Sequence, residues 1–509
     1  MNKKKPRILG CTLGNCIHVA GISRFLELAQ VCGYDTSFAG AGLSVEAVLG
    51  ILQNFKPEFM ALSYRLTPSV AGEIIKDLQT KLAGDFYPKT IWLFGGTPPV
   101  CQVAAQSGLF AAVFDGTESD DQVVRWLHGD SQLENDKLWA DNLIDRLRAQ
   151  IPYPILRHHF GLPDLEATIS GVREIAQSQT VDVISIGPDQ NAQEYFFNPE
   201  AMDHTQDGAG GVPLRKRQDL QRIYQASRCG NYPLLRIYSG TRNLLDWARL
   251  SVEELHNAWA AIPLYWYSEM DGRSKRTIEM AIYENQKTMA WYGEHNIPVE
   301  VNEAHHWSLR GAKDEIAVAA VFLAAHNAKA QGVKDFILQL MWNTPPQIQP
   351  YQDLAKMLAK IEIIKPFVSD SFRVWREVRA GLASLSPKPN IAKGQLAAST
   401  MLALQINPHI IHVVGFCEGD HAATPKEVIE SCEIVKGVIH NRLQGLPEIT
   451  DDRVISAKKE LLVKAAAIIE KISVLGDNAF TEPAILAAAV RKEILVAPQM
   501  MNSIRSSKD

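Results

Sequence analysis

From about residue 171 onward, short β-branched or aromatic runs alternate with longer amphipathic stretches, a rhythm that restricts a chain to parallel α/β architectures. The runs lie at 181–186, 234–238, 263–267, 298–302, 336–340 and 409–414. Amphipathic segments such as 275–294 and 312–330 have the length of helices and fit between them. Repeated β-then-α units of this kind over roughly 330 residues favour a (β/α)8 TIM-type barrel over a second open sheet.

The first 135 residues follow the same alternation on a smaller scale. Arg7-Ile8-Leu9-Gly10 reads as a buried strand, and the turn after it leads into an amphipathic stretch from Ile22 to Gln30. His18 lies in that turn, where open α/β sheets bind ligands beyond the carboxyl ends of their strands. Three further loops answer to the same edge: 61–68, Gly95-Gly96-Thr97-Pro98, and Phe114-Asp115-Gly116-Thr117-Glu118. Gly95 and Gly96 let a large group approach the backbone with no Cβ in the way.

These pieces, in this order, resemble the cobalamin-binding domain shared by methionine synthase, methylmalonyl-CoA mutase and glutamate mutase. The family pattern Asp-x-His-x-x-Gly, then Ser-x-Leu, then Gly-Gly is met here by Cys16-x-His18-x-x-Gly21, Ser63-x-x-Leu66-Thr67 and Gly95-Gly96. The resemblance implies a flavodoxin-like fold with His18 as the lower axial ligand of cobalt. It also implies a slot for the cofactor's nucleotide tail, lined by Ser63, Leu66, Thr67, Gly95, Gly96 and Thr97, with Gly116 and Thr117 beyond. Two departures stand out: Cys16 replaces the aspartate, and one extra residue separates Ser63 from Leu66. An axial imidazole normally donates its second nitrogen to a carboxylate, and a thiol is a weak substitute.

A chain of 509 residues that is 46% hydrophobic can bury two or three cores, and a net charge of −5 gives no reason to expect a nucleic acid. No apolar stretch is long enough for a membrane span and no secretory leader precedes the first strand, so a cytoplasmic protein is expected. Lys3-Lys4-Lys5 reads as a solvated terminus. The seven cysteines are scattered, with no Cys-x-x-Cys pair and no iron–sulfur spacing, which counts against a radical S-adenosylmethionine enzyme.

Residues 136–170, interrupted by Pro154 and Pro163 around His158-His159, read as a linker, leaving 171–509 for the barrel and its C-terminal helices. Polar groups recur after the barrel strands. They include Arg236 and Arg242, Glu269 and Arg273, Glu300, Asn302, Glu303, His305 and His306, Gln339, Trp342 and Asn343, and Glu418. Barrel strand ends converge on one mouth, where chemistry occurs. The segment from His409 to Ser431, with 287–356, resembles the large barrel subunit of glutamate (methylaspartate) mutase. Arg236, with Gly240-Thr241 and Leu244-Leu245 after it, resembles that family's Arg-His-Gly-Thr run; its Arg-Gly-Gly stretch has no clear counterpart.

The resemblance implies an adenosylcobalamin-dependent carbon-skeleton mutase acting by a radical mechanism on a small carboxylic or amino acid. Arg236, Arg242 or Arg273 would orient a carboxylate, and Glu269, Glu303 or Glu418 would hold an amino group or a proton. A methylcobalamin-dependent corrinoid methyltransferase and a noncatalytic corrinoid carrier are the alternatives. The stretch from Asp451 onward reads as helices packed at the barrel's end, with an amphipathic surface that could support a homodimer.

Overall fold

A computed structural model describes residues 6–84, 89–118, 120–127, 139–443 and 451–498. Lys3 to Lys5 and the boundary near 135 lie outside them. The chain divides into two compact units, residues 1–136 and 137–509. No helix among the described residues is long and apolar enough to cross a membrane.

The first unit is an open parallel sheet of β1 (Arg7–Leu13), β2 (Asp35–Leu43), β3 (Phe59–Ser63), β4 (Ile91–Gly95) and β5 (Ala112–Phe114), in the order β2-β1-β3-β4-β5. Helices Ala20–Val31, Val45–Phe55, Pro68–Gly84 and Pro98–Gln106 connect successive strands. Its core is Leu9, Cys11, Met60, Leu62, Phe94 and their neighbours, so β1, β3 and β4 are buried and β2 is an edge. All four strand-to-helix loops that carry candidate residues therefore open at one edge of one sheet.

The second unit is an eight-stranded parallel barrel that is nearly closed. Its strands are β6 (Ile155–Phe160), β7 (Val183–Ile186), β8 (Leu234–Ile237), β9 (Ala260–Ile262), β10 (Val299–Val301), β11 (Asp335–Trp342), β12 (Arg373–Ala380) and β13 (Ile410–Val413). Each pairs in parallel with the next, and β13 pairs with β6; only β8 and β9 share no ladder. That seam is bridged by Ala258 N–H donating to Leu235 O at 2.8 Å and by the Asn257 side chain accepting from Ile237 N–H at 3.1 Å.

Three expectations change. The segment taken as a linker, 136–170, carries helix Leu143–Gln150 and the first barrel strand, β6. A second unforeseen strand is β12, whose sequence Arg-Val-Trp-Arg-Glu-Val-Arg-Ala is half charged. Neither strand stands out as a hydrophobic run, because alternate side chains enter a polar barrel interior instead of an apolar core. The strand expected at 263–267 lies earlier, at β9, and its aromatic residues form a buried loop beyond the carboxyl end. The C-terminal helix Asp452–Ser473 also packs against the barrel's side, where Ala465 meets Val318, Ala319 and Ala359 on the outer helices.

Side chains along the barrel strands alternate with period two, as strand geometry requires. Leu156, Ile184, Leu235, Leu338, Val378 and Ile411 face the helices. Their neighbours build the interior in layers. Ile155, Val183, Leu234, Ile337 and Ile410 make an apolar floor with Leu143 and Leu147 of the preceding helix, and Trp259 joins them. Above it sit Arg157, Arg236, Glu300, Gln339 and Glu377.

Candidate functional site

In the first unit the loops after β1, β3, β4 and β5 surround a cavity of about 410 Å³. Its lining includes His18, Gly21, Ser63, Gly95, Gly96, Thr97 and Gly116; Leu66, Thr67, Thr117 and Cys16 are not on it. The wall opposite is the helix Ala20–Val31, through Ile22, Phe25 and Leu28, so the space is a slot between the sheet edge and that helix. Leu66 is exposed on the rim, as is Ile17 beside His18, 74% accessible.

The loops are fixed by their own hydrogen bonds. Tyr64 donates its hydroxyl to Asn15 Oδ1 at 3.1 Å and its N–H to Gly95 O at 3.0 Å, tying the β3 loop to both neighbours. Gly96 N–H donates to Phe114 O at 3.0 Å, and a Cβ on Gly96 would stand 2.4 Å from Tyr64 O, so packing alone demands glycine there. No such demand falls on Gly21, where a Cβ would meet nothing within 4 Å, or on Gly95, where the nearest atom would be 3.8 Å away. Two residues that leave the slot wider than the protein needs are a reason to look for an occupant.

His18 is exposed while Cys16 is fully buried, and Cys16 Sγ stands 3.9 Å from His18 Nδ1. The thiol occupies the aspartate's place in the pattern but is a distant, weak partner. Thr97 heads the helix Pro98–Gln106 without a side-chain cap bond, so its hydroxyl is not consumed there. The β5 loop differs. Thr117 donates its hydroxyl to Asp115 Oδ1 at 2.6 Å, and the Glu118 carboxylate accepts from Asp115 N–H at 3.2 Å and Gly116 N–H at 3.0 Å. That backbone nest is already filled by an acid, leaving no place for an anion.

The barrel interior holds a buried ionic layer. Glu300 accepts from Arg236 at 2.7 Å, from Trp259 Nε1 at 2.8 Å and from Gln339 Nε2 at 2.7 Å. Arg157 pairs with Glu377, donates to Ser185 Oγ at 2.6 Å and lies 3.7 Å from Glu300. Burial works to raise Glu300, but Arg236 and Arg157 outweigh it and hold the carboxyl below its ordinary range. Glu377 goes the other way: burial dominates, Glu300 adds to it, and its carboxyl is raised. The two arginines and two glutamates form one coupled group with a single large cost of desolvation.

Above this layer, His159 meets the Tyr238 hydroxyl and lies edge-on to His412, with ring centroids 4.4 Å apart. Burial drives His159 and His412 well below the ordinary histidine range, with Arg157 and Arg379 adding to it. His305 and His306, stacked at 4.4 Å after β10, are lowered in the same way, by burial first, with Arg379 again contributing. Four imidazoles are thus neutral around Arg379. Among the described residues Arg379 has no ion pair, and its buried Nε has no hydrogen-bond partner. Also without partners, in the ionic layer or at the strand ends above it, are Gln339 Oε1, Asn302 Oδ1, His159 Nδ1, His412 Nδ1, Trp266 Nε1 and Trp342 Nε1. Buried polar atoms are usually paired, so this concentration marks a place for polar guests.

The sequence-derived catalytic candidates fall in several settings. Arg236 is fully buried, bonded to Glu300 and set against the rings of Tyr238 and Trp259, with Nε and Nη1 unpaired. Glu303 accepts from Leu264 N–H at 2.7 Å, Tyr265 N–H at 3.2 Å and Trp307 Nε1 at 2.7 Å; burial still pushes its carboxyl up to about 7. Glu269 accepts from Ile278 N–H at the start of helix Ile278–Glu294 and lies 3.7 Å from Arg491. Arg273 is exposed over the Tyr267 ring, and Arg242 is exposed over Tyr195. Glu418 accepts from Gly415 N–H at 2.7 Å and stands 3.6 Å from His158 Nε2. None of Arg236, Glu269, Arg273, Glu303 and Glu418 bonds to another of the five among the described residues. Sequence reasoning missed Arg157, Glu377 and Arg379; the signal was the alternation Arg157-x-His159 and Glu377-x-Arg379, polar residues two apart on strands.

No family model matches this chain, and no curated protein matches it. Among solved structures it is similar to a cobalamin-binding protein from Desulfitobacterium hafniense DCB-2, at 23% identity over 24% of this chain and 57% of that one, with a TM-score of 0.20. The signal receiver domain of the putative response regulator NarL from Mycobacterium tuberculosis matches at 18% identity over 25% of this chain and 96% of that one, with a TM-score of 0.17. The cobalamin-dependent S-adenosylmethionine radical enzyme OxsB matches at 9% identity over 86% of this chain and 56% of that one, with a TM-score of 0.21. The chain spans little more than half of the first and third of these proteins. At such scores these likenesses carry no weight for fold or function.

Proposed function

We propose that this chain is an adenosylcobalamin-dependent carbon-skeleton mutase acting on a small carboxylic or amino acid. In this reading a flavodoxin-like corrinoid domain and a TIM-type catalytic barrel are fused in one chain. The observation that carries the reading is the slot of about 410 Å³ at the sheet edge, flanked by the exposed His18 and widened by Gly21 and Gly95. An exposed imidazole beside a deep slot suits a cofactor that needs both an axial base and room for a tail. Exposed Ile17 and Leu66 on the neighbouring loops suit contact with a broad, largely apolar ring.

The residues present fit a corrinoid: His18 would hold its metal, and Ser63, Gly95, Gly96 and Thr97 would line the slot for the rest of the group. When bound, adenosylcobalamin supplies a carbon radical by homolysis of its cobalt–carbon bond. The protein's share is to bind, orient and keep water out. Arg379 would take a substrate carboxylate, as a guanidinium without an acid partner can. Asn302 Oδ1 and Gln339 Oε1 are acceptors for an amino group, and the neutral His159 and His412 can accept or donate without introducing charge. Arg236 and Arg157 instead hold Glu300 and Glu377, so their part is to position the strands that carry the mouth.

The test is anaerobic reconstitution of the full chain with adenosylcobalamin, followed by optical and electron-paramagnetic-resonance spectra. Nitrogen hyperfine structure on Co(II), lost in His18→Ala, is the expected result. A candidate amino acid that produces a coupled Co(II)–radical signal supports the mutase, and methyl transfer to an added thiol instead supports a methyltransferase. A folded chain that leaves the corrinoid free in solution sinks both.

A further inference from the structure

After β13 the chain turns through Cys417-Glu418-Gly419-Asp420-His421 before the helix Pro425–Leu443 begins. The turn is helix-like: Asp420 N–H and His421 N–H both donate to Cys417 O, at 2.8 and 2.9 Å. Residues four apart then share a face, which brings the Cys417 thiol and the His421 ring together. Glu427, in the first turn of the helix, completes the group, and one ligand atom from each of the three lies within 4.8 Å of the others.

We infer that Cys417, His421 and Glu427 form a binding site for a zinc-type divalent cation at the carboxyl end of β13. The donor set is one thiolate, one imidazole and one carboxylate, the mixture a borderline-soft ion selects over magnesium or calcium.

The outer contacts a metal site needs are already made. His421 Nδ1 faces Asp420 Oδ2 at 2.9 Å, which orients the ring and leaves Nε2 toward Glu427 Oε1, also at 2.9 Å. The other oxygen of Glu427 accepts from Thr424 N–H at 2.9 Å and Thr424 Oγ1 at 2.8 Å, so the carboxylate cannot swing away. A surface ion pair would need only His421 and one acid. The hold on the Glu427 carboxylate is the reciprocal cap of the helix, with Glu427 N–H donating to Thr424 Oγ1 at 3.4 Å; the nearby thiol and the second acid on the far ring nitrogen go beyond a surface ion pair.

Anionic donors also suit a helix N-terminus, where the helix dipole favours negative charge and would oppose a bare cation. Binding would release the thiol proton to solvent. Three protein ligands leave a fourth position for water or for an oxygen or sulfur of a small ligand, at the end of the barrel where reactions occur. The site shares no residue with the corrinoid slot and stands or falls without it.

The experiment uses tag-free full chain prepared without corrinoid. Elemental analysis after dialysis against zinc is expected to give one zinc per chain. Cobalt(II) in its place is expected to give a thiolate-to-metal charge-transfer band that Cys417→Ser abolishes. Should Cys417→Ser fail to fold, exposed Asp420→Asn serves: it is expected to weaken zinc binding about 10- to 100-fold with the circular dichroism unchanged. Folded wild-type chain that retains no zinc and shows no thiolate band overturns the site, as does zinc binding unaltered in both Asp420→Asn and His421→Ala. His18→Ala is expected to leave the zinc content unchanged, which separates failure here from failure of the corrinoid reading.

Discussion

Gly95 and Gly96 line the same slot and answer to different demands. A methyl group on Gly96 would collide with main-chain Tyr64 O, which cannot rotate away, whereas one on Gly95 would meet ordinary contact distances. Gly96→Ala is therefore expected to lower stability by about 1–3 kcal/mol, the usual cost of overpacking. Gly95→Ala should stay within about 0.5 kcal/mol of the parent in a urea titration while weakening corrinoid uptake. Equal losses of stability in both variants would remove the argument that the slot is wider than packing requires. Cys16 gives a second test. A carboxylate in its place would bond His18 Nδ1 better than a thiol 3.9 Å away, so Cys16→Asp is expected to tighten corrinoid binding about tenfold by absorbance titration. Weaker binding would mean that Cys16 is tuned for packing and that His18 needs no orienting partner.

Two of the strands that close the barrel, β6 and β12, carry Arg157, His159, Glu377 and Arg379 on the face that in most strands is apolar. The strands β7, β8, β11 and β13 were legible because β-branched and leucine residues outnumber the one or two polar groups each sends inward, such as Arg236 on β8 and His412 on β13. β6 and β12 were not, because hydrophobic runs cannot reveal a strand whose inner face joins an ion network made with residues more than 200 positions away, as Arg157 and Glu377 are. The corrinoid-edge candidates were legible for the opposite reason: glycines, a serine and a histidine sit at strand ends, where local sequence decides the loop. Removing one partner of the buried network leaves the others uncompensated, so Arg157→Ala is expected to cost about 3–5 kcal/mol, and Arg157→Met with Glu377→Leu to recover much of it. If the double variant is no better than the single one, the network supplies shape that hydrocarbon cannot. Glu303, which joins the loop after β9 to the helix Ala304–Leu309, adds a pH dependence. Its folded carboxyl is raised to about 7, so the native state keeps a proton the unfolded chain has lost. Its contribution is complete below the ordinary carboxylate range and disappears as pH rises through about 7; stability should fall across that window, and Glu303→Gln should flatten the fall. A rise in stability over the same window would reverse the sign and mean that the three N–H donors around Glu303 outweigh its burial.

Across the whole molecule, an excess of acidic groups, net −5, coexists with a barrel mouth whose unpaired charge is positive. Arg157 and Arg236 are balanced by Glu377 and Glu300, Arg310 is balanced by Asp271, and the four histidines are held neutral. Arg379 remains. A guanidinium whose Nε is buried and unpaired beside neutral rings keeps its attraction for an anion, since no carboxylate is paired with it among the described residues. Small mono- and dicarboxylates should therefore raise the unfolding temperature of the wild-type chain by binding the folded state, with no corrinoid present. Arg379→Met is expected to abolish that rise while leaving the unfolding temperature without ligand nearly unchanged, because no ion pair is broken. Arg236→Met should do the reverse, lowering the unfolding temperature because Glu300 loses its nearest cation, and retaining a carboxylate-dependent rise. A carboxylate effect that survives Arg379→Met would move the anion site to the two donors of Arg236 that the barrel leaves unpaired, and would return to that residue the role its sequence first suggested.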